Sequence, residues 1–125
     1  MTLPVNRPFK DIQLSESCTS IATTPVAAFF IAPTTGYIQR VLASAGGTTT
    51  GTIAVSVVVN AGSDITGGGL TIAAGTGARN NPAYTFPLTG ANAVHVIEGD
   101  FITFTPSGGT GSSIPGAFAV VIREG

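Results

Sequence analysis

The chain has 125 residues, the size of a single domain, with 43 % hydrophobic but only 9 % charged residues and a formal net charge of −1. Such a chain is too apolar to be disordered, and its five basic residues cannot build the phosphate-tracking stripe that nucleic-acid binding requires. With one Cys and one His, an intramolecular disulfide, a cysteine cluster and a multi-histidine metal site within one chain are all excluded.

Residues 1–20 differ from the rest. They hold Arg7, Lys10, Asp11 and Glu16, and Pro4 and Pro8 favour an extended backbone there. Leu3, Val5, Phe9, Ile12 and Leu14 are apolar, which a disordered tail seldom is. The segment reads as an extended N-terminal arm ahead of a domain spanning 21–125, with Leu3, Val5, Arg7, Phe9, Lys10 and Ile12 as its contacts to a neighbouring subunit or partner surface. A frayed terminus, or a first strand paired with the body, fits the same residues. No apolar signal core occurs in the first 25 residues, and the longest clean apolar run, residues 26–32, is far short of the ~20 needed for a membrane helix. The expectation is a protein made in a cytoplasm, with Cys18 reduced and no membrane partner.

After residue 24, Gly and Pro cut the chain into short pieces that alternate with period two. The predicted strands are 20–24, 26–32, 37–44, 52–60, 69–74, 83–88 together with 93–98, 100–106 and 116–123. Residues 26–32 are apolar on both faces, which predicts a neighbour on each side. In 37–44, Ile38 and Leu42 are expected to face in, leaving Arg40 in need of an exit or a partner. Ile53, Val55, Val57 and Val59 form the clearest inward row. Phe29, Phe30, Phe101, Phe104 and Phe118 read as core. Glu98-Gly-Asp100 is a tight corner, and the stretch 107–115 is a Gly/Ser loop. About eight short strands without a clear helix predict an all-β, antiparallel β-sandwich, most simply an eight-stranded jelly roll; an immunoglobulin-like order has similar spacing.

Chemistry is sparse. His95 alternates with Val94 and Val96 on a predicted strand and reads as an outward or interface side chain rather than a base. Cys18 has no basic neighbour in sequence to activate it and reads as an inert thiol. Glu98 and Asp100 could join a calcium site, but the simpler reading is a turn whose Asp caps the backbone. Gly108-Gly-Thr-Gly-Ser-Ser113 has no Lys after its glycines and is not a phosphate loop, and no G-x-S-x-G elbow occurs. No catalytic residues, metal or cofactor are therefore assigned, and an enzyme is not expected. Arg79, Asn80 and Asn81 are the polar cluster of a long neutral middle and form a candidate contact loop. Between Val41 and Ile97 the only charged residues are Asp64 and Arg79. So neutral a surface predicts cover by other subunits, and hence a homo-oligomer.

The run Phe30-Ile-Ala-Pro-Thr-Thr-Gly-Tyr-Ile-Gln-Arg-Val-Leu-Ala43, the later Val96-Ile-Glu-Gly-Asp-Phe-Ile-Thr-Phe104 and the closing Gly116-Ala-Phe-Ala-Val-Val-Ile-Arg123 resemble the decoration, or cement, proteins of tailed-bacteriophage capsids. The resemblance covers residues 22–124 and rests on motifs that suit many β proteins. It implies a jelly-roll-like sandwich and a structural virion protein, made in the host cytoplasm and located on the capsid exterior. It further implies a homotrimer bound to the major capsid protein at capsomer junctions, with residues 3–12 as the arm. A receptor- or carbohydrate-binding head of a fibre or tail is the alternative. The absence of Trp, and Tyr37 and Tyr84 as the only tyrosines, count against that alternative.

Overall fold

The computed structural model describes residues 10–23, 25–48, 50–60, 62, 65, 69–74, 82–110 and 114–125. Among them are nine strands and no helix: β1 (Asp11–Cys18), β2 (Ala28–Ile31), β3 (Gly36–Ala45), β4 (Ile53–Val59), β5 (Leu70–Ile72), β6 (Ala83–Thr85), β7 (His95–Val96), β8 (Phe101–Ser107) and β9 (Gly116–Glu124). All pairings are antiparallel and fall into two sheets. The first has the order β1-β9-β3-β6, with β7 also on β3; the second has the order β2-β8-β4-β5. The molecule is thus an all-β, two-sheet sandwich.

Period-two alternation builds the core. Ile53, Val55 and Val57 on β4, Ile102 and Phe104 on β8, and Phe118, Val120 and Ile122 on β9 are all buried, as their spacing predicts. The Phe104 ring joins the layers: it meets Phe30 of its own sheet at 5.2 Å edge-on and Phe118 of the opposite sheet at 5.3 Å.

Three sequence expectations change. Residues 11–18, placed in the arm with a first strand paired to the body as the alternative, take that alternative: they form β1 and pair along their whole length with β9, from Asp11 opposite Arg123 to Cys18 opposite Gly116. Of the six arm residues, Ile12 lies in β1 opposite Ile122 and Lys10 accepts the Glu124 N–H at its carbonyl oxygen (2.9 Å). Leu3, Val5, Arg7 and Phe9 lie outside the described residues. β1 escapes a pattern reading because Glu16 takes an inward position, opposite Phe118, and stays exposed there. A sheet edge tolerates such a charge, and it discourages further pairing.

Residues 20–23 form no strand, and residue 24 lies outside the described residues. They are part of the crossover from the first sheet to the second: Ile21 and Ala22 are buried, Ile21 N–H donates to the Ile114 carbonyl, and the Ser20 hydroxyl donates to the Thr23 carbonyl at 2.7 Å. Burial without a partner strand explains why these apolar residues imitate one.

In β3 the register slips between Ile38 and Arg40, a bulge at Gln39. Past it the phase inverts, so Val41, Ala43 and Ala45 are buried, Leu42 turns outward and Arg40 reaches solvent. The extra residue thereby supplies the exit that Arg40 needed, and the inward role expected of Leu42 passes to Val41.

Candidate interaction surface

The outer face of the second sheet is built from every other residue of its strands. Phe29 and Ile31 come from β2; Phe101, Thr103, Thr105 and Ser107 from β8; Ala54, Ser56 and Val58 from β4; and Thr71 from β5. None of these is charged. Phe29 and Ile31 are each 64 % exposed and Phe101 is 51 % exposed, and they lie together, since Ile31 pairs with Phe101 and Phe29 with the neighbouring Thr103. Large apolar side chains grouped so on a folded surface make this corner a candidate binding place.

Local chemistry holds this corner in place. Ala32 N–H donates to the Asp100 carbonyl and Gly99 N–H to the Ala32 carbonyl, both at 2.9 Å, extending the β2–β8 ladder into the preceding turn. That turn closes with Asp100 N–H on the Ile97 carbonyl, while the Asp100 carboxylate accepts the Ile97 N–H at 2.9 Å. Gly99, at φ +95°, supplies the backbone a type II turn needs at its third position. Glu98-Gly-Asp100 is therefore the capped corner read from the sequence. On the other flank Asn60, at φ +56°, accepts the Phe101 N–H at its side-chain oxygen (3.0 Å), and its own N–H donates to the Phe101 carbonyl (2.7 Å). Asn tolerates that left-handed conformation better than most residues. Phe101 is thus fixed by its backbone while its ring stands in solvent.

β2 is the edge of its sheet. The Ala32–Asp100 bond sets the phase: even-numbered residues of β2 turn N–H and C=O toward β8, so Phe29 and Ile31 turn theirs to the free edge. Pro106 stops β2 from extending backwards. It sits one step beyond Phe104, the partner of Ala28, on the positions that face β2, and it has no N–H to give.

The first sheet's outer face is different. Asp11 and Arg123 face each other across β1 and β9 in a two-pronged ion pair, Nε to Oδ1 at 2.8 Å and an Nη2 bond to Oδ2 at 3.0 Å. Gln39, with its amide turned to suit both, donates to Asp11 and accepts from Arg123 at 3.1 Å each. The hydrogen bond from Arg123 holds the Asp11 carboxyl below its usual range, against a smaller opposing effect of desolvation. Nearby, His95 is exposed and stacks edge-on against Tyr37 at 4.9 Å, an outward position as expected. A shallow cleft of about 310 Å³ opens among Tyr37, Leu88, Thr89, Arg123, Glu124 and Gly125. Cys18 is half-buried and close to the Ser20 carbonyl; burial pushes its thiol pKa up, outweighing the backbone contacts that lower it. Among the described residues, no three His, Cys, Asp or Glu side chains are placed to hold a metal ion.

The contact loop Arg79, Asn80 and Asn81 lies outside the described residues. Sequence reasoning placed Phe29 and Phe101 in the core, and it gave residues 26–32 a neighbour on both sides; both expectations are corrected by their exposure on an edge strand. The available signal was the pair Pro25 and Pro33 bracketing the run, since proline at both ends of a short apolar strand belongs at a sheet edge. A scan against protein-family models finds no match, and a search of curated proteins likewise finds none.

Proposed function

We propose that this chain is a structural virion protein of a tailed bacteriophage, a decoration protein that clads the capsid exterior and acts by burying surface rather than by making bonds. The observation that carries the reading is the uncharged outer face of the second sheet, with Phe29, Ile31 and Phe101 exposed at one corner. Charge-poor, aromatic-containing surfaces are what the centres of protein interfaces are made of. The motifs at residues 30–43, 96–104 and 116–123 add the resemblance to cement proteins.

The strand order supports reading the sandwich as a jelly roll. Counting β6 and β7 as one interrupted strand, since both pair with β3, a long antiparallel hairpin pairs β1 with β9, β2 with β8, β3 with β6/β7 and β4 with β5. Rolling that hairpin up brings β9 beside β3 and β8 beside β4, the two remaining pairings.

In this reading the working unit is a homotrimer bound to the major capsid protein where capsomers meet. Each contact buries on the order of 1,600 Å² in total. Residues 1–9 are the arm, because β1 begins at Asp11 and belongs to the body. The test is binding to undecorated tailed-phage capsids, read by electron microscopy and by the temperature at which the capsids rupture. Saturable occupancy at capsomer junctions, a raised rupture temperature and less than about a twofold change in occupancy between roughly 50 and 500 mM salt are expected, since no charge lies on the buried face. A chain starting at Lys10 keeps its fold and loses most occupancy. Absence of binding, or steep loss of binding with salt, overturns the reading.

A further inference from the structure

The free edge of β2 and the apolar corner beside it belong to the same two residues. Phe29 and Ile31 carry the outward side chains, and they also carry the N–H and C=O groups that no strand among the described residues pairs. An edge of this kind accepts an added strand: backbone bonds supply the attachment and the alternate side chains supply the choice of partner.

The edge is self-complementary. Turn a second copy by a two-fold axis perpendicular to the sheet and passing beside Phe30, and Phe29 of one copy falls opposite Ile31 of the other, in both directions. These are the hydrogen-bonded positions, so each pair exchanges both of its N–H···O bonds. In an antiparallel pair, opposed residues share a face. Phe29 and Ile31 of both copies therefore form one apolar row on the outer side, continued on each flank by Phe101, which is paired with Ile31. No charge and no proline lies within β2 to oppose this, whereas the other edge of the same side of the sandwich, β1, carries the inward Glu16.

We propose that β2 is a self-association edge: two copies of this chain join β2 to β2, antiparallel about Phe30, merging their second sheets into one continuous sheet. The contact is isologous and closed, so it makes pairs and not filaments. Pro25 and Pro33 keep the edge short, and the contact is accordingly small and reversible, in the range of weak encounter interfaces. Where the chain forms trimers, closed pairing of all three edges with one second trimer gives a hexamer. The proposal needs only self-association, so it stands or falls without reference to capsids.

The experiment is sedimentation equilibrium of the purified full chain from micromolar to near-millimolar concentration, comparing wild type with Ile31→Lys and Phe29→Lys. Both positions are solvent-exposed in the single chain, and thermal unfolding checks that each variant folds. The expected result is reversible association whose limiting mass is halved by either lysine, dimer to monomer or hexamer to trimer. The dissociation constant of this step rises at least about tenfold, because each lysine then faces an apolar residue across the edge and the two lysines lie diagonally, about 7–8 Å apart. A chain carrying Phe29→Cys, Ile31→Cys and Cys18→Ser is expected to cross-link between copies on mild oxidation. A mass that stays at one subunit over the whole range overturns the proposal, whether the edge is then covered by the chain's own first nine residues or left bare. So does an assembly whose mass neither lysine changes; that result leaves the trimer and the capsid reading intact.

Discussion

The two outer faces of the sandwich handle apolar residues in opposite ways. On the first sheet, Tyr37, Leu42 and Val121 turn outward but are half-covered, interleaved with Gln39, Arg40 and Arg123. Long polar side chains can lay their stems over such neighbours and keep their heads in water. On the second sheet the outward residues are Thr, Ser and Ala, too short to cover anything, and Phe29, Ile31 and Phe101 stand bare. On the function proposed above, the first face is finished for water and the second is left for protein. The difference comes from which side chains surround the apolar ones, since outward apolar residues occur on both faces.

The largest effect that probes this contrast lies within one strand. Phe101 and Phe104 are both on β8, facing opposite sides, one 51 % exposed and the other fully buried between the sheets. Phe104→Ala removes the ring that meets both Phe30 and Phe118 and is expected to cost about 3–5 kcal/mol in urea unfolding. Phe101→Ala is expected to change stability by no more than about 0.5 kcal/mol. Equal losses would mean that Phe101 serves the fold, and the idea of a face kept for a partner would fail.

A smaller effect sharpens the contrast from the first sheet's side. Gly36 pairs with both Val96 and Glu124, and a Cβ at this position would collide with the Arg123 backbone carbonyl. A backbone atom cannot swing away as a side chain end can. Gly36→Ala is expected to cost about 1–3 kcal/mol and to loosen the β3–β9 ladder in hydrogen exchange, leaving association through β2 unchanged.

Much of this was legible in the sequence, and the parts that were not share a cause. Strands near 53–59, 101–107 and 116–124 follow from simple alternation, because each is flanked on both sides by strands for most of its length or has one strictly apolar face. Alternation failed at edges and irregularities. Glu16 breaks the row of β1, the Gln39 bulge inverts β3, and β2 is apolar on both faces for two different reasons, core on one side and exposed corner on the other. A pattern of residue types records which side chains avoid charge; it does not record whether the burial comes from the same chain or from another. That distinction needed the sheet order, and it is where Phe29 and Phe101 changed from core residues to candidate contacts.

The smallest expected effect concerns the ion pair that finishes the first face. The Arg123 guanidinium lowers the Asp11 pKa from its ordinary 3.8, so the folded chain holds this proton less readily than the unfolded one. The sign follows directly: the pair's stabilisation is fully present above the ordinary carboxylate value and is lost as pH falls through the lower folded value. Asp11→Asn should therefore lower the melting temperature slightly and by a constant amount from neutrality down to about pH 4. The gap should close in stronger acid, where the wild-type carboxyl is neutral too, and it should narrow with added salt at neutral pH. Both partners are about a third open to solvent, so the gap is small. The paired residues of β2 carry no charge, so association through β2 should not follow the Asp11 titration. If acid instead dissociated the copies with the same midpoint that closes the Asp11 gap, the two faces would be coupled, and the division between a face for water and a face for protein would have to be given up.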